Sequence, residues 1–229
     1  MKLNQPISCI VPAYNEAAYI EKVLDIITKL RWIEEVIVVD DASDDRTGEI
    51  LKRYAGKIKI ITHKQNFGKG TAMVSGIRAA KHNLLLFLDA DLIGLKEEHI
   101  LQILSPVIFT KRADLSLGVF GLKQIRKHTS TKLASWSVPA ITGQRAIWRK
   151  SLPPLDRIAK ARYGVDLLIT RHIPKPRRSV VELDGLAQVR KEEKQNDLVR
   201  VVKSRLKMYR EVLRILKKDK NYKSPKIAA

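Results

Sequence analysis

Leu84-Leu85-Leu86-Phe87-Leu88 runs directly into Asp89-Ala90-Asp91. An unbroken apolar run of this length predicts a central strand covered on both faces. Two carboxylates then stand one residue apart where that strand leaves the sheet, and ligands of open α/β sheets collect outside the carboxyl ends of the strands. Carboxylates are hard oxygen donors suited to Mg2+ or Mn2+, which take one or two protein carboxylates and complete their shell with water and substrate phosphate. A substrate carrying phosphate is therefore expected. Taken alone, Asp-x-Asp reads more readily as a pair that stops a strand and caps the next segment, and the rest of the chain reverses that.

Upstream, the runs Ile7 to Val11, Val36 to Val39 and Ile58 to Ile61 alternate with segments of helical period. Ile20, Val23, Leu24, Ile27 and Leu30 form one helical face, and the stretch after Gly70 through Ala80 forms another. This βαβα order predicts an α/β fold, with a mostly parallel central sheet and helices on both faces. Right-handed crossovers put the carboxyl end of every parallel strand on one edge, so the loops that follow them share a cleft. Downstream, Leu115 to Val119 reads as a strand, and the basic, polar stretch Gly121 to Ser137 is a candidate lid. Val180 to Leu183 is again strand-like. From Leu198, the apolar Val202, Leu206, Tyr209, Leu213 and Leu216 recur at helical spacing between lysines and arginines. That is a basic amphipathic helix, which either docks on the domain or lies on a membrane surface. The chain thus divides into an α/β domain over 1–190 and a basic helical extension over 191–229.

At 229 residues with 45% hydrophobic content, the chain can bury a real core. The single cysteine, Cys9, lies inside the first apolar run and reads as a small buried hydrophobe. No disulfide framework is needed, no apolar stretch is long enough to cross a bilayer, and the order of a signal peptide is missing. A cytoplasmic location is expected, with peripheral contact at the inner membrane face as an extension of it. The net charge of +20 is unevenly placed. Residues 1–100 hold 14 basic and 14 acidic side chains, residues 101–189 hold 16 and 5, and residues 190–229 hold 14 and 5. The second half should face something anionic: nucleic acid, lipid headgroups or a phosphorylated metabolite.

Three further motifs fall at the same predicted sheet edge. Val11-Pro12-Ala13-Tyr14-Asn15-Glu16 follows the first strand and leads into a helix whose amides are open to an anion. Asp40-Asp41-Ala42-Ser43-Asp44-Asp45 follows the second strand, where a carboxylate can accept a hydrogen bond from a nucleotide base. Asp44 and Asp45 read better as caps for a helix over 47–54. Asn66-Phe67-Gly68-Lys69-Gly70-Thr71 follows the third strand, with glycines that permit close backbone approach and a lysine that can meet phosphate. It is neither a Walker loop nor a dinucleotide fingerprint, since Met73 stands where the third small residue belongs.

In this order and spacing, V-P-A-Y-N-E, V-V-D-D-A-S-D-D, N-F-G-K-G and L-D-A-D-L resemble the family 2 glycosyltransferases of GT-A fold. Thr142-Gly143-Gln144-Arg145 and Tyr163-Gly164-Val165-Asp166 extend the likeness toward bacterial glucosyl-3-phosphoglycerate synthases and polyprenyl-phosphate glycosyltransferases. The resemblance implies a metal-dependent enzyme that moves a sugar from a UDP- or GDP-linked donor to an anionic acceptor. It would place Pro12, Ala13, Tyr14 and Glu16 around the base and ribose, and Asp41 or Asp40 on the base. Gly68, Lys69 and Gly70 would approach the diphosphate. Asp91 would be the principal ligand of Mg2+ or Mn2+, with Asp89 beside it as a second ligand or ribose contact. Asp166 would be the candidate general base if the acceptor is a hydroxyl, or a positioning group if it is a phosphate. Arg145 and Arg149, with Lys123, Arg126, Lys127, His128 and Lys132 of the lid, would suit phosphate oxygens. Relatives often carry an extra metal-ligand histidine where this chain has Gln188. The five histidines themselves show no metal-ligand spacing, and none is assigned to a site.

The acceptor expected first is a polyprenyl phosphate at an anionic membrane, and the rival is a soluble phosphorylated acceptor such as 3-phosphoglycerate. A non-catalytic nucleic-acid module would need aromatics interleaved with its basic residues, and Trp136, Trp148 and Tyr163 are too sparse for that. A nucleotidyltransferase would share the same nucleotide-binding edge but release pyrophosphate.

Overall fold

The computed structural model describes residues 5–120 and 142–188. The lid over 121–137, with its basic residues, and the extension over 191–229 lie outside the described residues. Within them, β1 (Ile7–Ala13), α1 (Ile20–Ile27), β2 (Glu35–Asp40), α2 (Thr47–Lys52), β3 (Lys59–Thr62), α3 (Lys69–Ala79) and β4 (Leu84–Phe87) alternate strictly. Then come β5 (Leu92–Ile93), α4 (Glu97–Ile108), β6 (Leu115–Phe120), β7 (Arg145–Trp148), α5 (Leu155–Lys160), α6 (Val165–His172), β8 (Arg178–Leu183) and β9 (Ala187–Gln188).

The main sheet runs β3-β2-β1-β4-β7-β6-β8. β1 pairs in parallel with β2 and β4, β2 with β3, and β6 with β8, while β7 is antiparallel to both its neighbours. The chain leaves β1 toward β2 and β3, then returns to β4 on the other flank of β1. The crevice between the carboxyl ends of β1 and β4 is therefore the topological switch point, where open α/β sheets bind ligands.

The apolar runs are continuous because each strand feeds two cores in alternation. Ile7, Cys9 and Val11 of β1, with Val36, Val38, Leu84 and Leu86, pack against α1, α2 and α4 on one face. Ile10, Ile37, Val39, Leu85 and Phe87 pack against α3, α5 and α6 on the other. Burial drives the Cys9 thiol pKa upward, so it stays protonated as an inert packing group. β5 and β9 form a separate antiparallel pair, with Leu92 opposite Gln188. That small ribbon carries Gln188 over the Asp89-Ala90-Asp91 turn.

Candidate active site

Both aspartates after β4 turn toward one point. The amide nitrogen of Gln188 donates to Asp91 Oδ1 at 2.7 Å and to Asp89 Oδ2 at 3.2 Å. Two carboxylate oxygens within hydrogen-bonding distance of a single nitrogen converge as cation ligands must. Among the described residues no group of three or more histidine, cysteine or acidic side chains gathers in this way. A pair of hard oxygen donors fits Mg2+ or Mn2+ completed by water and phosphate, and does not fit a closed protein cage.

Asp89 is the inner member of the pair. Gln144 Nε2 donates to its Oδ2 at 2.8 Å, and Lys69 Nζ donates to its Oδ1 at 2.8 Å. Its carboxylate lies flat against Gly143, where an added Cβ would stand 2.2 Å from both oxygens. Only glycine leaves room there. Burial raises the pKa of Asp89, but the charge and hydrogen bonds of Lys69 and Gln144 outweigh it and hold the carboxyl below the usual aspartate value.

Lys69 opens α3, which begins directly after Gly68 at a φ of 92°. A side chain at that φ is strained, so glycine is what lets the turn deliver Lys69 into the crevice. Nζ bridges Asp89 and Asp166, at 2.9 Å from Asp166 Oδ2. Burial lowers the pKa of Lys69, but Asp166 and Asp89 overcome it, and the net shift is upward. Asp166, at the start of α6, is 4% exposed and also accepts from Arg145 Nη2 at 2.8 Å.

Arg145 does not occupy the place that the sequence led us to expect. It is 0% exposed, and its guanidinium donates to Asp166 Oδ1, to the Asp166 carbonyl and to the Thr142 carbonyl. Burial pulls its pKa below the ordinary arginine value despite Asp166 and Asp89. It is an internal counterion to Asp166. Arg149 is likewise turned inward, donating to the carbonyls of Ile77, Ala80 and His82 at 2.6, 2.7 and 3.0 Å.

The edge of the crevice nearest β2 is held by side-chain bonds to backbone amides. Asn15, Glu16 and Ala17 donate their N–H groups to Ser43 Oγ, Thr47 Oγ1 and Asp45 Oδ2. The amides expected to greet an anion after β1 are thus already satisfied. Asp45 also accepts from the N–H of Thr47, the first residue of α2, at 2.8 Å, while the cap position itself is Arg46 and Asp44 pairs with Asn15. Asp40 accepts from the Ser43 amide and hydroxyl, tying its own turn. Asp41 accepts from the Phe67 and Gly68 amides at 3.0 and 2.7 Å and from His63 Nδ1 at 2.6 Å. Pro12 and Ala13 are the last residues of β1, and Ala13 points into the core. Tyr14, by contrast, is 41% exposed at the mouth of the crevice. Glu16 is half-buried beside it. Gly70 faces away from the crevice, its missing Cβ allowing α3 to approach the Ile158 carbonyl of α5.

His63, Gln144 and the donor role of Gln188 are the parts that sequence reasoning missed. His63 is the first residue after β3 on the ligand edge, and that position was its only signal. A cavity of about 220 Å3 lined by Lys111, Asp114, Trp148, Lys150 and Arg177 lies at the opposite edge of the sheet and shares no residue with this network.

Comparison with known proteins bears on the family and the fold. Over residues 8–152 the chain matches the family model described as glycosyl transferase family 2. It is 36% identical over 103 residues to a 4,4'-diaponeurosporenoate glycosyltransferase of Staphylococcus haemolyticus, covering 43% of this chain and 27% of that protein. It is 29% identical over 160 residues to an undecaprenyl-phosphate 4-deoxy-4-formamido-L-arabinose transferase of Yersinia pestis, covering 63% and 47% respectively. The matched region thus spans from about a quarter to about half the length of these curated relatives. Among solved structures, glucosyl-3-phosphoglycerate synthase from Mycobacterium tuberculosis, in complex with Mn2+, UDP and glucosyl-3-phosphoglycerate, superposes with a TM-score of 0.70 at 22% identity. The superposition covers 93% of this chain and 79% of that one, so the GT-A fold is shared. With the family model covering more than half of its residues, the chain belongs to glycosyl transferase family 2.

Proposed function

We propose that this protein transfers a sugar from a nucleoside diphosphate sugar, in the presence of Mg2+ or Mn2+, to an acceptor that carries phosphate. The observation that carries the reading is the convergence of Asp91 and Asp89 on one point at the switch of the sheet, with Lys69 2.8 Å from Asp89. A cation held there would neutralise charge on the departing diphosphate as a Lewis acid and template. Lys69 brings a second positive charge from α3 to the same phosphates, and the first turn of that helix favours an anion. Tyr14 and Asp41 stand on the β1 and β2 side, where the base would lie.

Asp166 is placed to act on the sugar or acceptor side. Oδ2 faces Lys69 and Oδ1 faces Arg145, and a carboxylate held by two cations is a poor base, so taking a proton from an acceptor hydroxyl is disfavoured while both stay in contact. An acceptor phosphate is already ionised and needs no such step. This favours phosphate as the attacking group and Asp166 as a residue that orients Lys69. The Yersinia relative carries undecaprenyl-phosphate in its name, and the mycobacterial neighbour is complexed with glucosyl-3-phosphoglycerate. A lipid phosphate would attack through its own ionised oxygen, whereas a soluble phosphorylated acceptor could attack through a hydroxyl and use its phosphate as a handle, so the two share the anionic group to be held and differ in the need for a base.

Calorimetry of UDP and GDP with and without Mn2+ tests the reading. Asp91→Ala should weaken the Mn2+-dependent binding at least tenfold and leave the melting temperature within a few degrees. Metal-independent binding unchanged by Asp91→Ala would remove the basis of the assignment.

A further inference from the structure

Asp41 is 3% exposed, and its hydrogen bonds are nearly complete. An ionised carboxylate has about four lone-pair sites. Oδ1 accepts from His63 Nδ1 at 2.6 Å and from the Phe67 amide at 3.0 Å, and Oδ2 accepts from the Gly68 amide at 2.7 Å. One acceptor site is left, and it is on Oδ2. The backbone donors are fixed by the turn into α3, so among the described residues the only side chain that sets this number is His63.

The imidazole is held by two further contacts, and its backbone by the sheet. Its Nε2 lies 2.8 Å from Ser75 Oγ on α3. Its ring meets Phe67 edge to face, with centroids 5.4 Å apart at 77°. Its backbone N–H donates to the Asp40 carbonyl at 2.9 Å, extending the pairing of β3 with β2. An ionised carboxylate is acceptor-only, so Nδ1 carries the proton and points it at Oδ1. The ring cannot turn away to release that oxygen.

We propose that His63 is a positioning residue that limits the nucleotide base to one with a single N–H donor on its pairing edge, a uracil-type ring, against guanine. The inference rests on the nucleotide-donor reading of this same site. Guanine presents its ring N–H and an exocyclic N–H side by side, and pairing both with a carboxylate takes one lone pair on each oxygen. With Oδ1 filled by His63 and the Phe67 amide, Asp41 satisfies one guanine donor and strands the other. A uracil ring offers only its imide N–H, which the remaining site on Oδ2 accepts. A ligand donor stripped of water and left without a partner costs affinity, on the order of tenfold or more.

The test measures UDP and GDP binding by calorimetry, with Mn2+ present, in the full chain and in two variants. His63→Leu removes the donor to Oδ1. His63→Asn keeps an amide N–H close to where Nδ1 stands, and losing the Ser75 contact is its only other change in hydrogen bonding. Wild type and His63→Asn should bind UDP at least tenfold more tightly than GDP. In His63→Leu that ratio should fall at least fivefold, with GDP affinity rising. A His63→Leu ratio equal to wild type, an equal loss in His63→Asn, or a wild-type preference for GDP would each overturn the inference. If His63→Leu does not fold, wild type and His63→Asn still decide it through their own ratios. Failure of the parent reading looks different: wild type would then bind neither nucleotide, and both proposals would fall together.

Discussion

Lys69 carries the charge balance of the crevice, bridging two carboxylates from separate elements while only about a fifth exposed, at 22% side-chain accessibility. Its pKa is raised, so its contribution to stability is complete below the unfolded lysine value of about 10.4 and disappears as pH rises through the native value. Asp89 has the opposite sign. Its pKa is depressed, so its contribution is complete above the unfolded aspartate value of about 3.9 and is lost as pH falls through the native value. The difference in melting temperature between wild type and Lys69→Met should therefore be flat from about pH 5 to about pH 9. It should shrink at both extremes, and a slope centred near neutrality would contradict this pairing. Asp166 has a heavier structural duty, because Arg145 is enclosed and Asp166 is its carboxylate partner in contact. Breaking a buried pair by removing one partner costs about 3–5 kcal/mol. Urea unfolding of Asp166→Ala should show a loss of that size, and an unchanged midpoint would mean that Arg145 finds another counterion.

At the scale of elements, α3 is fixed at both ends by unlike devices. Its first residue, Lys69, reaches the crevice, and its last turn is closed by Arg149, whose guanidinium collects the Ile77 and Ala80 carbonyls and that of His82 beyond. The last carbonyls of a helix have no partner within it, and a cation there also suits the negative end of the helix dipole. Arg149→Met should cost about 1–3 kcal/mol in unfolding free energy. Nucleotide affinity should not change, since the substitution acts at the end of α3 remote from Lys69. Such a role was invisible in the sequence, where Arg149 offered only its charge and looked as fit for phosphate as any other arginine. Arg145 misled for the same reason: a charge in a sequence does not say which way it faces. The strands were legible because strands covered on both sides leave no polar alternation, and Leu84 to Leu88 announced itself in that way. The acidic turn after it was legible for a topological reason, since parallel strands bring their carboxyl ends to one edge. His63 escaped because its importance passes through Asp41, and nothing local to residue 63 marks that contact.

At the scale of the molecule, the neutral first hundred residues build the sheet edge that carries Lys69 and the Asp89-Ala90-Asp91 turn, and the excess charge follows them. Residues 101–229 hold 30 basic and 10 acidic side chains. Of the described ones, Lys150, Lys160 and Lys175 are exposed, whereas Arg145 and Arg149 face inward, so the sequence excess overstates the surface charge somewhat. No helix among the described residues is long and apolar enough to cross a membrane. Attraction to an anionic bilayer is then a matter of surface charge, at about 1 kcal/mol for each lysine or arginine close to the headgroups. Such attraction falls off over a Debye length of about 10 Å at 0.1 M salt. If the acceptor is a lipid phosphate, the protein should cosediment with vesicles containing about a third phosphatidylglycerol at low salt and release from them as salt rises past about 0.3 M. Neutral phosphatidylcholine vesicles should leave it in the supernatant. Indifference to both kinds of vesicle would assign the basic surface to a small phosphorylated acceptor, and sugar transfer should then be saturable by that acceptor in the absence of any lipid.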